Sequence, residues 1–399
     1  MSKKNSYKVD TQCVSDHKLS ESGQSHVIPI HATSSYSYRS IQDSIDVFEG
    51  KKEGHVYSRF SNPTVSEVEN KLASLEAHGT QHDASCWLTS SGLAAISTFA
   101  MSMLREGDEV LTQPDLYGGT TEVFNKIVTK CGNKIHRTDL RNLNKVEDCL
   151  KANPQIKLIY FETPSNPMLR IVDIAGIVAI AKQYDCYTAI DNTFCTFYLQ
   201  QPLQLDVDFV LYSTTKYLNG HGNAISGAII CKNPQHGELI FGTRKLLGTT
   251  TNAWDAWLLH NGLKTLPVRM DRHCQNAMQI ASFLSNHPNV LNVNYPGLKN
   301  HSEHGIAKNQ MLQFGGMLSF EIKGGLQKGI AFMDGTEICT IAATLGNVDT
   351  LLLHPATSSH LFVPKEIREE SGITDGLVRI SVGIENIDDL LADIEQALS

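Results

Sequence analysis

The sequence predicts an α/β fold: a large, mostly parallel sheet covered by helices, with a smaller α+β unit at the C-terminal end. Three observations carry that expectation. Short apolar runs, Glu109 to Thr112, Lys157 to Phe161, Tyr187 to Ile190 and Phe209 to Tyr212, alternate with amphipathic stretches such as 174–184, the pattern of strands buried between two helical layers. Polar residues end these runs, as expected where a parallel sheet collects its active site outside the strand carboxyl ends. After about residue 255 the alternation stops, and long helices and fewer strands follow.

The chain of 399 residues is long enough for two domains or one large domain with an appendage. The reading divides it into an arm at 1–60, a ligand-binding domain at 61–255 and a C-terminal domain at 256–399. Hydrophobic residues at 41% and charged residues at 19% fit a soluble globular protein. A formal net charge of -8 argues against a general nucleic-acid binder, since no basic face is evident. The nine cysteines, Cys13, Cys86, Cys131, Cys149, Cys186, Cys195, Cys231, Cys274 and Cys339, form no CxxC pair and point to reduced thiols in a cytosol. The start is polar, without the apolar core of a signal peptide, and no run reaches membrane-span length. A cytoplasmic location is expected.

In chain order, residues 1–60 have little periodicity and read as an extended arm. Thr64 with Glu67 suggests a capping box, and Val65, Val68, Leu72 and Leu75 follow at helical spacing. Ser91-Gly92-Leu93 opens an apolar helix whose free N–H groups and dipole make an anion site; alone it reads as a plain N-cap. Leu116-Tyr117-Gly118-Gly119-Thr120 follows the 109–112 strand and reads either as a turn with a surface tyrosine or as a ring laid against a planar ligand. In Glu162-Thr163-Pro164-Ser165-Asn166-Pro167, two prolines stiffen a loop and hold Glu162 and Asn166 at a strand end. Asp191 ends the Tyr187 strand, where an acid needs a cationic or hydrogen-bonded partner. The Phe209 strand runs into Ser213-Thr214-Thr215-Lys216, with Gly220 and Gly222 beyond.

Lys216 alone reads as an ordinary solvated lysine. Partly desolvated among hydroxyls, it becomes a neutral, nucleophilic amine able to form a Schiff base. One ligand accounts for these groups together. It carries a phosphate, a planar ring whose nitrogen wants a carboxylate, and an aldehyde for a lysine. That ligand is pyridoxal 5'-phosphate. After residue 255 a long helical stretch from Ala256 to Cys274 and beyond, strands at Met317 to Ile322 and Val378 to Val382, and a closing helix from Ile387 to Leu398 complete the pattern. A metal site built from His301 and His304 lacks a supporting cluster at ligand spacing, so two solvated histidines and no metal are expected.

Five motifs, Tyr57-Ser58-Arg59-x-Ser61-Asn62-Pro63-Thr64, Glu162 to Pro167, Asp191-Asn192-Thr193, Ser213 to Tyr217 and Arg379-Ile380-Ser381-Val382-Gly383, resemble the Cys/Met-metabolism (transsulfuration) group of fold-type-I pyridoxal-phosphate enzymes. The resemblance runs from about Ile28 to the C-terminus. It implies the fold-type-I transferase architecture and roles for the matching positions. Lys216 would bond the cofactor aldehyde and move the substrate's protons. Asp191 would hold the ring nitrogen protonated, and Tyr117 would stack on the ring and serve as an acid at the leaving group. The amides of Gly92 and Leu93 and the hydroxyls of Ser213 and Thr215 would bind the phosphate. Tyr57 and Arg59 would reach the phosphate of a neighbouring subunit, making the arm part of a homodimer's or homotetramer's shared sites. Arg379 would take the substrate carboxylate in a bidentate fork, with Asn166 and Thr344 nearby. Without the resemblance, Arg379 passes for a solvated arginine at a strand start.

Within that group the second half, for example Arg269 to Cys274 and Gly376 to Arg379, is worded most like methionine γ-lyase. Two departures count against methionine specificity: Gly119 stands where those enzymes carry a cysteine, and Arg244-Lys245 where they carry Lys-Asp. Cystathionine enzymes often place a glutamate before the Ser-Leu-Gly turn, matched here by Ala343-Thr344-Leu345-Gly346, and His354 to Thr357 is worded most like O-acylhomoserine sulfhydrylases. The expectation is γ-elimination from methionine or a related thioether. Alternatives are γ-replacement on O-acetyl- or O-succinylhomoserine (sulfhydrylase or cystathionine γ-synthase), a cystathionine lyase, and a non-catalytic protein of the same fold. Loss of Lys216, Asp191 or Arg379 would mark the last, and all three are present.

Overall fold

In the computed structural model the described residues are 7–15, 23, 25–359, 361 and 365–399. Seven strands form the large sheet: β1 (Ser85–Thr89), β2 (Glu109–Thr112), β3 (Lys134–Arg137), β4 (Ile156–Glu162), β5 (Tyr187–Asp191), β6 (Phe209–Tyr212) and β7 (Gly227–Cys231). Their order is β1-β7-β6-β5-β4-β2-β3. Every neighbouring pair from β6 through to β3 is parallel, while β7 runs antiparallel to both β6 and β1. The expected mostly parallel sheet is thus present, with one reversed strand.

The apolar runs follow from burial on both faces. Side chains alternate along a strand, so Phe209 and Leu211 of β6 enter one core with Ile229, Ala189, Ile96 and Phe99. Val210 and Tyr212 enter the other with Ile230, Ile190, Val68 and Leu72. The Phe99 and Phe209 rings meet with centroids 4.9 Å apart; truncating either to alanine removes about 3–5 kcal/mol.

Three helices bear on the site. α3 (Pro63–Glu76) starts with Pro63 at its first position, and the Asn62 side chain accepts the Thr64 N–H. This corrects the capping-box reading: the Thr64 hydroxyl is drawn off to the Pro29 carbonyl at 2.8 Å and accepts the His31 N–H at 2.9 Å. The arm is also more regular than expected, with helices α1 (Val9–Val14) and α2 (Ile41–Phe48). They escape periodicity because six and eight residues give at most two turns to read. α4 (Gly92–Met103) and α5 (Gly118–Lys126) follow β1 and β2.

A second sheet takes the order β10-β11-β12-β9-β8, from β8 (Val290–Asn294), β9 (Met317–Ile322), β10 (Thr340–Ile341), β11 (Leu351–Leu353) and β12 (Leu377–Ser381). The helix expected from Ala256 onward is two, Ala253–Lys264 and Leu266–Ser285, broken at Thr265, with Pro267 in the first turn of the second. Met270 and Cys274 of the second pack into the large-sheet core, and Ala277, Ile280 and Leu284 into the small-sheet core.

Candidate active site

The carboxyl ends of β4, β5 and β6 lie side by side. Glu162 is the register partner of Asp191, and Asp191 of Leu211. Beyond β6 the chain turns through Ser213 to Gly220, closed by the Lys216 N–H to Ser213 carbonyl bond and the Gly220 N–H to Lys216 carbonyl bond. Gly220 has φ +73°, and a Cβ there would sit 2.0 Å from the Arg269 guanidinium. Arg269 fills that space and donates to the Tyr217 carbonyl at 2.8 Å and the Gly262 carbonyl at 2.8 Å. From the other side a Cβ at Gly346 would stand 2.7 Å from the Tyr217 N and 3.2 Å from the Lys216 Cβ. The Lys216 backbone is held between the two.

The Lys216 ammonium donates to Thr344 Oγ1 at 2.8 Å. Burial, reinforced by the Arg379 charge, lowers its pKa from the ordinary lysine range to about 8, toward the nucleophilic amine. Arg379, which local pattern alone would leave as a solvated arginine, is buried. It lies within β12, 4% exposed, and donates to Asn166 Oδ1 at 3.1 Å and the Thr344 carbonyl at 2.8 Å. Burial lowers its pKa to about 10, and its Nε has no protein acceptor among the described residues, which leaves a donor for an anion. Lys216, Thr344, Arg379 and Asn166 therefore form one hydrogen-bonded chain.

Asp191 is pinned by the Thr193 N–H at 3.0 Å and hydroxyl at 2.5 Å, and Thr193 Oγ1 accepts the Ser213 N–H at 2.9 Å. Burial raises the Asp191 carboxyl pKa, and the Thr193 bonds lower it. An acid so placed gains from a cationic ligand.

Ser91 caps α4 by accepting the Ala94 N–H, which leaves the Gly92 and Leu93 N–H groups in the first turn, beyond any intrahelical carbonyl. A Cβ at Gly92 would stand 2.8 Å from Ser213 Cβ, so only glycine lets the helix start and the Ser213 loop close into one cradle. The Thr215 hydroxyl, by contrast, accepts the Ser226 N–H at 3.0 Å and donates to the Ser226 carbonyl at 3.1 Å.

Tyr117 is not in a free turn. It is the N-cap of α5, and its N–H is held by Glu162 at 3.0 Å. A Cβ at Gly119 would meet the Tyr117 ring at 2.7 Å and the Leu93 side chain at 3.0 Å, which puts the half-exposed ring beside the start of α4. A helix-start amide cradle, a ring, a carboxyl and an amine of lowered pKa suit a ligand with phosphate, aromatic ring, cationic ring nitrogen and aldehyde. The donor set fits pyridoxal phosphate.

Tyr57 and Arg59 stand apart. Arg59 donates to the Lys245 carbonyl at 2.5 Å and lies over the Phe60 and Tyr57 rings, and among the described residues no hydrogen bond joins either residue to Lys216, Asp191 or Arg379. Arg244 is buried, bonded to Glu69 at 2.5 Å and the Leu88 carbonyl at 2.8 Å; its slot serves the scaffold. Sequence reading missed Arg269 as a support of the lysine turn, because its acceptors are main-chain carbonyls that leave no side-chain signature. His304 Nδ1 donates to the Pro296 carbonyl, and His301 lies 3.7 Å from Glu303. Among the described residues no His, Cys, Asp or Glu group of three is arranged to hold a metal, and no helix is long and apolar enough to cross a membrane.

The family described as Cys/Met metabolism PLP-dependent enzyme matches residues 10–399. An L-methionine gamma-lyase of Fusobacterium nucleatum subsp. nucleatum is 41% identical over 373 residues, 93% of each chain. A cystathionine beta-lyase of Lactococcus lactis subsp. cremoris is 42% identical over 372 residues, again 93% of each chain. The crystal structure of cystathionine gamma synthase from Xanthomonas oryzae pv. oryzae, in complex with aminoacrylate and cysteine, superposes with a TM-score of 0.91 at 35% identity, covering 98% of both chains.

Proposed function

The chain belongs to the Cys/Met-metabolism family of PLP-dependent enzymes, and on that premise we propose that it acts at the γ-carbon of a sulfur amino acid. The reaction is γ-elimination: methionine or a related thioether, with water, gives 2-oxobutyrate, ammonia and a thiol. What carries the reading is the short path through Thr344, which takes the Lys216 amine on its hydroxyl and the Arg379 guanidinium on its carbonyl, both at 2.8 Å. A proton-moving amine thereby sits one residue from a carboxylate-binding fork.

In this reading Lys216 takes the cofactor aldehyde, Asp191 the ring nitrogen, Tyr117 the ring face, and Gly92, Leu93, Ser213 and Thr215 the phosphate. Thr215 joins in once its proton swings from the Ser226 carbonyl. The bound cofactor supplies an electron sink that acidifies the substrate carbon. Arg379, with Asn166 and Thr344 beside it, fixes the substrate carboxylate and so presents the Cα hydrogen to Lys216. The Lys216 amine, partly neutral near pH 8, would take the Cα proton, give it up to the cofactor's carbon, and so be neutral again to take a Cβ proton. The Tyr117 hydroxyl gives a proton to the departing sulfur. Tyr57 and Arg59 serve the phosphate site of a second copy, in a homodimer or homotetramer. The scattered free thiols, most of them buried, suit the reducing cytoplasm.

A second reading, γ-replacement on an O-acylhomoserine, draws on Gly119. Methionine γ-lyases carry a cysteine in that slot, and here a Cβ would crowd the Tyr117 ring at 2.7 Å. The deciding assay offers methionine, cystathionine and O-acetyl- or O-succinylhomoserine, with and without sulfide. 2-Oxobutyrate from methionine without added thiol is expected; strict thiol dependence would install the second reading, and pyruvate from cystathionine a β-lyase. A colourless protein that takes up no pyridoxal phosphate would sink all three. Lys216→Ala should prevent borohydride from fixing the cofactor to the chain.

A further inference from the structure

Glu162 has no part in the chemistry above, yet it is built into its centre. It ends β4, 6% exposed, with Asp191 as its neighbour in register on β5. Its two oxygens serve different loops: Oε2 accepts the Tyr117 N–H at 3.0 Å and Oε1 the Asn166 N–H at 3.3 Å. Its own N–H donates to Gln113 Oε1 at 3.1 Å. Such a carboxyl is a poor choice for stability alone. Burial raises its pKa well above the ordinary value and the Asp191 charge adds to the rise, so ionising it costs both desolvation and like-charge repulsion. A neutral side chain in the same place would avoid both costs.

We propose that Glu162 is a positioning residue whose carboxyl locks the main chain of Tyr117 to that of Asn166, fixing the ring-stacking tyrosine and the amide that meets Arg379 at a set separation beside Asp191. No other described residue bonds to both loops at those two N–H groups. Tyr117 begins α5 and Asn166 lies in the loop between Pro164 and Pro167; Ser165 and Arg170 also tie the two segments through the Asp115 side chain, but the Glu162 carboxyl is what fixes the Tyr117 and Asn166 N–H groups themselves. This rests on the pyridoxal-phosphate reading of the site.

The test is Glu162→Gln in the full-length protein, an isosteric change that turns one acceptor oxygen into an NH2 facing an N–H. The apoprotein is titrated with pyridoxal phosphate, and visible absorbance and circular dichroism are recorded per bound cofactor. We expect altered visible dichroism and a cofactor Kd raised roughly tenfold to hundredfold, the range for leaving a buried N–H donor without its acceptor. kcat/KM should fall by a similar factor. Gln113→Ala, which removes the acceptor of the Glu162 N–H and a 3.2 Å bond to Asp115 but neither bond of the Glu162 carboxyl, should lower the melting temperature while leaving the dichroism unchanged. A Glu162→Gln protein with wild-type dichroism and a Kd within twofold of wild type overturns the proposal, and so does a Gln113→Ala protein that reproduces every change. Should Glu162→Gln not accumulate folded, Glu162→Asp replaces it; one methylene shorter, it should shift Kd and dichroism in the same directions, and no shift counts against the proposal. Wild-type protein that takes up no cofactor would instead defeat the functional reading, so the two failures are distinguishable.

Discussion

The two edges of the large sheet handle charge in opposite ways. At the amino edge a cavity of about 660 Å³ is lined by, among others, Asp185, Cys186, Asp206, Asp208 and His236. Its charges are matched: Lys182 pairs with Asp206, and Lys232 meets Asp206 at 3.0 Å and Asp208 at 2.8 Å. At the carboxyl edge like faces like. Glu162 lies across from Asp191, Lys216 feels the Arg379 charge, and the Arg379 Nε has no protein acceptor among the described residues. Cavity volume does not choose between the edges, since a cavity of about 700 Å³ lies at Tyr57, Arg59, Ser90 and Thr250. Unmatched buried charge, which a ligand would complete, sets the carboxyl edge apart and supports the site proposed there.

That contrast can be broken at either end. Asp191→Asn keeps the shape but removes the charge meant for a cationic ring nitrogen. It should lower kcat by about 10²–10³-fold, read by steady-state kinetics on cofactor-saturated protein. Arg379→Lys loses the fork and should raise KM for an amino-acid substrate roughly tenfold to hundredfold, with a smaller change in kcat. In the apoprotein the Lys216 amine, with its pKa lowered to about 8, gains nucleophilicity as pH rises and levels off above that value. Acylation or cofactor uptake followed against pH should show its midpoint near 8; continued growth toward the ordinary lysine range would mean that the site does not desolvate the amine. The smallest effect belongs to the amino edge. Asp206→Asn weakens ion pairs at a partly exposed carboxylate, worth about 1 kcal/mol, and should leave kcat/KM within twofold of wild type, with a correspondingly small change in melting temperature.

The legible and the hidden parts of the structure divide along similar lines. β6 and β9 occupy the runs Phe209 to Tyr212 and Met317 to Ile322 that their apolar patterns predict, because a strand buried on both faces announces itself locally. The strand-end residues Asp191 and Glu162 were legible for the same reason. The link from Lys216 to Thr344 spans 128 residues and that from Arg379 to Asn166 spans 213, and no local pattern encodes such contacts. Arg379 looked like a surface arginine because its acceptors lie on distant segments. Arg244 looked like a lost specificity residue because its partner Glu69 is 175 residues away. The family resemblance supplied what periodicity could not for Arg379, while for Arg244 it marked a departure without showing the ion pair to Glu69.

The helix Leu266–Ser285 carries a consequence of its own. Its first half is anchored in one core and its second half in the other, and its Arg269 braces the turn behind Lys216. The two sheets share a single rod, so neither can melt far without slackening the other. Loss of the small sheet's packing should therefore be felt at the lysine, and calorimetry should record one cooperative transition where two separate lobes would give two.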